Sequence, residues 1–364
     1  MPGNLAEFVL ACTKARIPGR GAFAVIQEGT KEVGETNRQS IHSRLAVIRS
    51  SPMTDRLRFA LKIAISLALV GWLLSHVDLR QVGAALREVD IAGFALATLL
   101  VAMLVGPLSA MRWMVVMHAQ GAEMRFPRAF ALVLVSWFFN QFIPSGLGGD
   151  AMRAWGVKAD GTGWEAAIHG VFIDRLLALA AMVVIVALGW PLLSPLLVMP
   201  GARAGVAMAL AASVAAIALL MLADKMHLEK LLPVLSRVTG VARSCRAVFL
   251  SGRAWSALAL ATSTHLSLGF VVWLLARSLG LELPLLAVLV LMPLVLLVTM
   301  VPVSIAGWGV REGVMIIAFG LLGVPAVRAF ALSVLFGLSL LLAALPGGLL
   351  WLRGAKAKPQ SPAT

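Results

Sequence analysis

The sequence predicts an all-α fold, a polytopic transmembrane helix bundle of about six to eight spans with one or two re-entrant hairpins in an inverted repeat. Three observations predict it. Sixty per cent of the 364 residues are apolar and 13% are charged, whereas a soluble domain carries roughly 25% charged residues. Several apolar runs are long enough to cross a ~30 Å hydrocarbon core, which takes about 20 helical residues. A Pro-x4-Gly-x3-Arg pattern occurs twice, at Pro144–Arg153 and Pro302–Arg311, each time after a short apolar segment.

Residues 1–58 are polar and irregular, with nine Lys/Arg against five Asp/Glu. No apolar stretch closed by a small-residue cleavage site occurs there, so no signal peptide is read. The segment is expected to be a disordered basic tail, or an extension upstream of a true start at Met53. The expected transmembrane domain spans 59–352, and residues 353–364 form a basic tail.

The apolar segments follow in order. Phe59–His76 is the first and Ile91–Met117 the second, the latter interrupted by Gly106-Pro107. Arg128–Ile143 is apolar but short and ends in Pro-Ser-Gly. Val171–Leu193 carries Asp174 and Arg175 near its start, and Ala204–Leu222 follows. A connector over 223–253 has six Lys/Arg against two acids. Then come Ala254–Leu279, Pro284–Val301, the short Gly313–Leu322 and Ala326–Leu352.

Lys/Arg bias sets orientation. The N-terminal tail, the 223–253 connector and the C-terminal tail are the basic segments, and all three are expected in the cytoplasm. Loop 194–203 carries only Arg203 and is expected outside. An even number of crossings must then lie between 59 and 223, yet five apolar segments occur there. Arg128–Ile143 is the segment expected not to cross: it enters from the cytoplasm, turns at Pro144–Gly149 and returns. The net charge of +14 lies in these tails and loops, where cytoplasmic retention places it, and does not support nucleic-acid binding.

Aligned on their prolines, the two patterned stretches match Gly149 with Gly307 and Arg153 with Arg311. If the second is also re-entrant, it opens from the outside, which is the inverted-repeat plan of secondary transporters. Four full crossings in the second half fit the charges equally well. Irregular backbone at membrane depth survives only where protein or water surrounds it. Each glycine cluster also starts a helix whose free N–H groups favour an anion. An arginine one turn in adds a planar fork suited to phosphate oxygens. The competing reading is that the glycines permit close helix packing and the arginines sit at the interface.

The other intramembrane polar groups are Asp174, Arg175 and His265. Asp174 and Arg175 point about 100° apart on a helix and need not pair, so Asp174 is free to face Arg153 or Arg311. Buried charges in lipid mark functional cavities by default; the structural alternative is a salt bridge at the end of the span. His265 is expected to make an interhelical hydrogen bond, and Asn140 and Gln141 to sit at the hairpin tip. Tyrosine is absent, so Trp72, Trp113, Trp190, Trp273 and Trp351 are expected to form the interfacial belt. Cys12 and Cys245 lie in segments expected in the cytosol, which argues against a disulfide. No metal-ligand set, P-loop or nucleophile with a positioned base is present, and no cofactor is expected.

At these residues the chain resembles the lysylphosphatidylglycerol synthase transmembrane-region family of flippase-like membrane proteins. The stretches that carry the resemblance are NQFIPSGLGGDAMRAW (140–155), FIDRLLAL (172–179), VPVSIAGWGVREGVMIIAFGLLGVP (301–325) and AFALSVLFGLSLLLAALPGGLLWL (329–352). The resemblance covers roughly 59–352 and implies a unit of eight or so spans that moves lipids or lipid-linked molecules between leaflets. The best-studied branch adds a C-terminal aminoacyltransferase, which is expected to be absent here because the sequence ends twelve residues after Leu352.

The resemblance carries over onto Pro144, Gly148, Gly149, Asp150, Arg153, Asp174, Arg175, Pro302, Ser304, Gly307, Gly309, Arg311 and Glu312; Ser145, within the first break, completes the candidate substrate-binding set. Arg153 or Arg311 would hold a head-group phosphate, with Asp174 and Glu312 orienting the arginines. The expected activity is lipid translocation in the plasma (bacterial inner) membrane, without catalysis. Membrane lipid head groups are the expected partners, with a separate lipid-modifying enzyme as a further one. A membrane-embedded enzyme acting on a lipid phosphate, or an accessory scaffold subunit, are the alternatives.

Overall fold

A computed structural model describes residues 79–142, 148–198, 200–223, 225, 236–300 and 309–356. The expectations for 1–58, the Phe59–His76 span and the tail beyond 356 fall outside these ranges, as do Pro144, Ser145, Pro302, Ser304 and Gly307.

The regular structure among the described residues is helical, and five of these helices are long and apolar enough to cross a membrane. In chain order the helices longer than a single turn are α1 (Leu79–Arg87), α2 (Ile91–Ala119), α3 (Phe126–Phe142), α4 (Gly148–Ala159), α5 (Trp164–Leu188), α6 (Ala202–Leu222), α7 (Ser236–Phe249), α8 (Arg253–Ser278), α9 (Leu285–Thr299), α10 (Val310–Gly320) and α11 (Ala326–Lys356). The spanning candidates are α2, α5, α6, α8 and α11, while α9 is apolar but shorter.

Asp90 caps α2, its carboxylate accepting from the Ala92 and Gly93 N–H groups at 3.0 Å each. Gly106-Pro107 does not interrupt α2 as the sequence suggested. Proline lacks the N–H that would bond four residues back. The helix absorbs the defect as one π-helical turn over Val101–Val105, in which the Gly106 N–H bonds the Val101 carbonyl. Two boundaries differ in consequence. Helix α5 begins at Trp164, so Asp174 and Arg175 lie about three turns inside it rather than near its start. The basic connector contains a helix, α7, with Ala242, Cys245 and Val248 buried on one face.

The hairpin of α3 and α4 is antiparallel. Arg128 pairs with Asp160 at its base, Gly156 packs on Leu132, and Asn140 meets Gly149 at its tip. Helices α9 and α10 pack on each other in the second half. The two halves repeat their packing. Helix α2 lies on α3 as α8 lies on α9, through Gly106 against Phe130 and Gly269 against Leu289. Helix α4 packs on α5 as α10 does on α11, and α5 packs on α9 as α11 does on α3.

The helix ends repeat as well. Gly121, Gly161, Gly280 and Gly323 take positive φ after α2, α4, α8 and α10. The residue after each glycine donates to a carbonyl five back, as in Ala122 to Met117 and Leu281 to Ala276, the Schellman pattern. Between the halves, the start of α2 meets the end of α8, with Asp90 N–H bonded to the Ser278 carbonyl at 2.9 Å, and the two helices pack along their length. They are therefore antiparallel, and the hairpins that follow them open at opposite ends of the bundle.

Candidate functional site

The charged residues of the first half converge on the helix interior. Asp174 on α5 is 2% exposed. It accepts from Arg112 Nε at 2.7 Å and Nη2 at 3.2 Å, and from Arg153 Nη1 at 2.8 Å. Arg153, on α4, donates its other terminal nitrogen to Asp150 at 2.8 Å. The second Asp150 oxygen accepts from Arg175 Nε at 2.8 Å. The result is a ladder across α2, α4 and α5 with three arginines against two aspartates, one cation in excess. Arg153 also stacks on Trp113, 4.6 Å from the ring.

Local geometry explains the assembly. Arg153 follows Asp150 by three residues, so both sit on one face of α4. Asp174 and Arg175, adjacent in α5, diverge as expected: one reaches Arg112 and Arg153, the other Asp150. A buried charge of this kind is tolerable only with a hydrogen-bonded partner, and the ladder supplies one at every carboxylate.

The helix starts are less open than the sequence suggested. The Gly149 N–H is already taken by Asn140 Oδ1 at 3.0 Å, and that of Gly309 by Glu312 Oε2 at 2.5 Å. These two donors are not free for an anion. Gly148 and Gly149 are buried in the first turn of α4, where a Cβ on Gly149 would overlap the Ser136 carbonyl oxygen. Close packing is thus one function of that glycine. Gly309, at φ +87°, begins α10 in a conformation that favours glycine.

The second half brings together Arg311, Glu312 and Ser333. Arg311 Nε and Nη2 donate to Glu312 Oε1 at 3.1 and 2.6 Å, and Ser333 Oγ lies 3.3 Å from Arg311 Nε and 3.2 Å from the same carboxylate oxygen. Phe336 lies under the guanidinium, and Gly337 leaves the space that the guanidinium fills. Asp174 therefore faces Arg153, and Arg311 has its own partner.

Sequence reasoning missed Arg112, Trp113 and Ser333. The signal for Arg112 was present, an arginine inside a predicted span. Trp113, expected at the interface, is instead wholly buried against Arg153, whereas among the described residues Trp155, Trp164 and Trp255 are the exposed tryptophans. His265, buried on α8, lies beside Arg112, Asp174 and the Ala178 carbonyl. Its ring meets that carbonyl on the neighbouring helix α5, the interhelical contact expected, although neither ring nitrogen reaches full hydrogen-bond geometry. An open bay lined by His118, Glu123, Arg125 and Arg253 lies past the end of α2 and is not part of the ladder.

Searches of curated proteins and of solved structures found no match. Residues 59–347 match the family described as Lysylphosphatidylglycerol synthase TM region. That match covers the repeated helices, both arginine–carboxylate sites and most of α11, and this multi-pass membrane protein belongs to the lysylphosphatidylglycerol synthase transmembrane-region family.

Proposed function

We propose that this protein is a lipid translocase of the plasma membrane. The observation that carries the reading is the charged ladder deep in the bundle, where α2, α4 and α5 meet and where His265 of α8 brings the second half alongside. Charges in that position are costly and mark a polar route through the membrane. A phospholipid or lipid-linked head group needs such a route, while its chains remain in the hydrocarbon. The two halves, packed through matched contacts and opening at opposite ends, supply the rocking pair that alternating access requires. Asp174 and Glu312 orient Arg153 and Arg311, and the protein itself performs no chemistry on the lipid.

In this reading the N-terminal tail, the α7 connector and the C-terminal tail face the cytoplasm. The partners are membrane lipid head groups, and a separate lipid-modifying enzyme supplies or consumes the lipid. The test uses the purified full chain in liposomes with head-group-labelled phospholipid and a membrane-impermeant quencher. Leaflet exchange at least tenfold above empty liposomes, with the lipid unchanged, supports the translocase. Appearance of a new lipid species would replace it with an enzyme, and neither result would leave a scaffold.

A further inference from the structure

His265 reaches the ladder from the second half of the chain. It stands on α8 beside Arg112 of α2 and Asp174 of α5, with the Ala178 carbonyl of α5 against its ring. It sits midway along the 26 residues of α8, roughly 18 Å from either end at 1.5 Å per residue. That places it near the middle of a ~30 Å hydrocarbon core. The residue is 7% exposed, yet neither ring nitrogen has a hydrogen-bond partner of full geometry. An imidazole left so is costly in the interior, and inside a membrane such a group marks a path for ions or protons. Trp113 Nε1 and Arg153 Nε are unpartnered too, and both belong to the same row of side chains. Buried donors of this kind give water a place to bind, the medium by which a proton arrives.

Two acceptors lie beside the ring, and together they suit its protonated form. Asp174 Oδ2 accepts from Arg112 and Arg153, whereas Oδ1 accepts from Arg112 Nε alone. Oδ1 therefore has capacity for one more donor. Ala178 follows Asp174 by four residues, one turn on along the same face of α5. A neutral imidazole donates once, while an imidazolium donates from both nitrogens. With α8 drawn closer to α5, an imidazolium would bond Asp174 Oδ1 with one nitrogen and the Ala178 carbonyl with the other. In the arrangement seen here neither bond is complete and Arg112 lies beside the ring, which suits the neutral form.

We propose that His265 carries a proton and couples lipid movement to a proton gradient. The imidazole takes one proton from water on one side as α8 and α5 close on each other, and returns it to water on the other side as they part. No other bond forms or breaks, and one positive charge crosses with each cycle. Among the described residues, the other titratable groups on the helices around α8 lie away from the ring. Helix α9 carries none. On α11, Arg328 bonds the Leu279 carbonyl beyond the end of α8, and the next is Arg353. On α2, His118 bonds the backbone of Met124. On α5, Glu165 is in the first turn, His169 meets Ser244, and Arg175 turns to Asp150. On α7, Cys245, between Arg243 and Arg246, packs with Ala257, about two turns before His265. Arg253 and Arg277 lie at the ends of α8 itself. The inference rests on the translocase reading above and deepens it by naming what drives the movement.

The test uses the purified full chain in liposomes with the head-group-labelled phospholipid. Valinomycin and equal potassium hold the membrane potential at zero, and a difference of about one pH unit is imposed across the membrane. Coupling of one proton to one lipid then shifts the leaflet ratio about tenfold at equilibrium. The wild type should show that shift, and nigericin, which collapses the pH difference, should remove it. The ratio reached at equilibrium does not depend on how much protein is folded, so a structural role for His265 would slow the approach without moving the end point. His265→Gln keeps a polar side chain that does not titrate, and its end point should ignore the gradient. If that variant is lost from the monodisperse peak, His265→Asn takes its place. Lipid exchange by the wild type with no response to the gradient overturns the proton coupling and leaves the translocase standing. A full shift in His265→Gln or His265→Asn keeps the coupling and removes His265 from it, which also overturns the proposal. No exchange at all by the wild type removes the translocase and the coupling together.

Discussion

The two arginine sites occupy matched places in the repeat and are built for different ends. Around Arg153, five charged side chains from three helices form a ladder with a cation in excess and a half-exposed outer member. Around Arg311, the described partners are Glu312 and Ser333 on α10 and α11, with Phe336 beneath it. The first arrangement has donors to spare and a way out to the surface; in the second, the described residues set one carboxylate against one buried guanidinium. Repetition of a sequence pattern therefore fixed the position of two arginines without giving them one task.

The largest expected effect tests the ladder as a structural unit. Asp174→Ala leaves Arg112 and Arg153 facing each other in the interior. Breaking a buried pair this way costs about 3–5 kcal/mol. The variant should be lost from the monodisperse peak in fluorescence-detected size exclusion, and Asp174→Asn should be partly retained. Wild-type stability of Asp174→Ala would mean that water reaches the ladder freely and that its burial has been overstated.

The next prediction sets the two halves against each other. Arg153→Lys loses the fork that joins Asp150 to Asp174, and leaflet exchange per folded molecule should fall at least tenfold. Arg311→Lys should lower the unfolding temperature while leaving exchange per folded molecule within twofold, because its guanidinium is buried on Glu312. Equal loss of exchange in both variants would erase the distinction drawn between them.

A third test sharpens the geometry that relates the halves. Single cysteines at Asp160 and Gly323 mark the mouths of the two hairpins. An impermeant maleimide applied outside intact cells should label position 323 and not 160, with 240 protected and 198 accessible. Labelling of 160 from outside would make the first hairpin a full crossing.

A smaller effect is expected where helices meet by backbone. A Cβ at Gly347 would enter the Leu134 carbonyl, so Gly347→Ala should separate α11 from α3 at a cost of about 1–3 kcal/mol. Melting of the purified variant measures it.

The smallest effect concerns Cys245 on α7, outside the spans. Burial pushes its thiol up to about 11. In a Cys12→Ser background, its alkylation should keep rising about tenfold per pH unit well past 9, where an exposed cysteine levels off. A raised folded-state value stabilises the protein below about 9, and that contribution is lost as the pH climbs towards about 11. Alkylation that levels off near pH 9 would place the thiol in water.

The fold was largely legible because hydrocarbon imposes length and polarity on every span. The segments containing α2, α3, α5, α6, α8, α9, α10 and α11 were recognisable from apolar runs alone. Helix α7 was not, since its basic composition read as loop and its buried face rests on tertiary packing. In the site, the prominence of Asp174 followed from charge inside a span, and that of Arg153 from the Pro-x4-Gly-x3-Arg pattern. Their pairing with Arg112 did not follow, because Arg112 lies far away in sequence and its approach depends on how α2 turns. The four glycine caps after α2, α4, α8 and α10 carried the repeat in plain view, at Gly121, Gly161, Gly280 and Gly323. They went unread beside the longer Pro-x4-Gly-x3-Arg pattern, since isolated glycines are common in such a chain.

The π-helical turn at Val101–Val105 has an effect on everything after it. A turn that holds one residue more than the α pattern acts as a local insertion, and at 3.6 residues per turn an insertion rotates the remainder of the helix by about 100°. The outer part of α2 and the part bearing Arg112 and Trp113 are therefore out of phase, like two cams set at an angle on one shaft. The first cam bears on the end of α8, through Asp90 and Gly93. The second presents Arg112 to Asp174 and the Trp113 ring to Arg153. Shortening this stretch by a single residue would keep its apolar character and its membrane depth while turning those two side chains a quarter of the way round. In a membrane helix, the count of residues between two contacts is itself an angular setting.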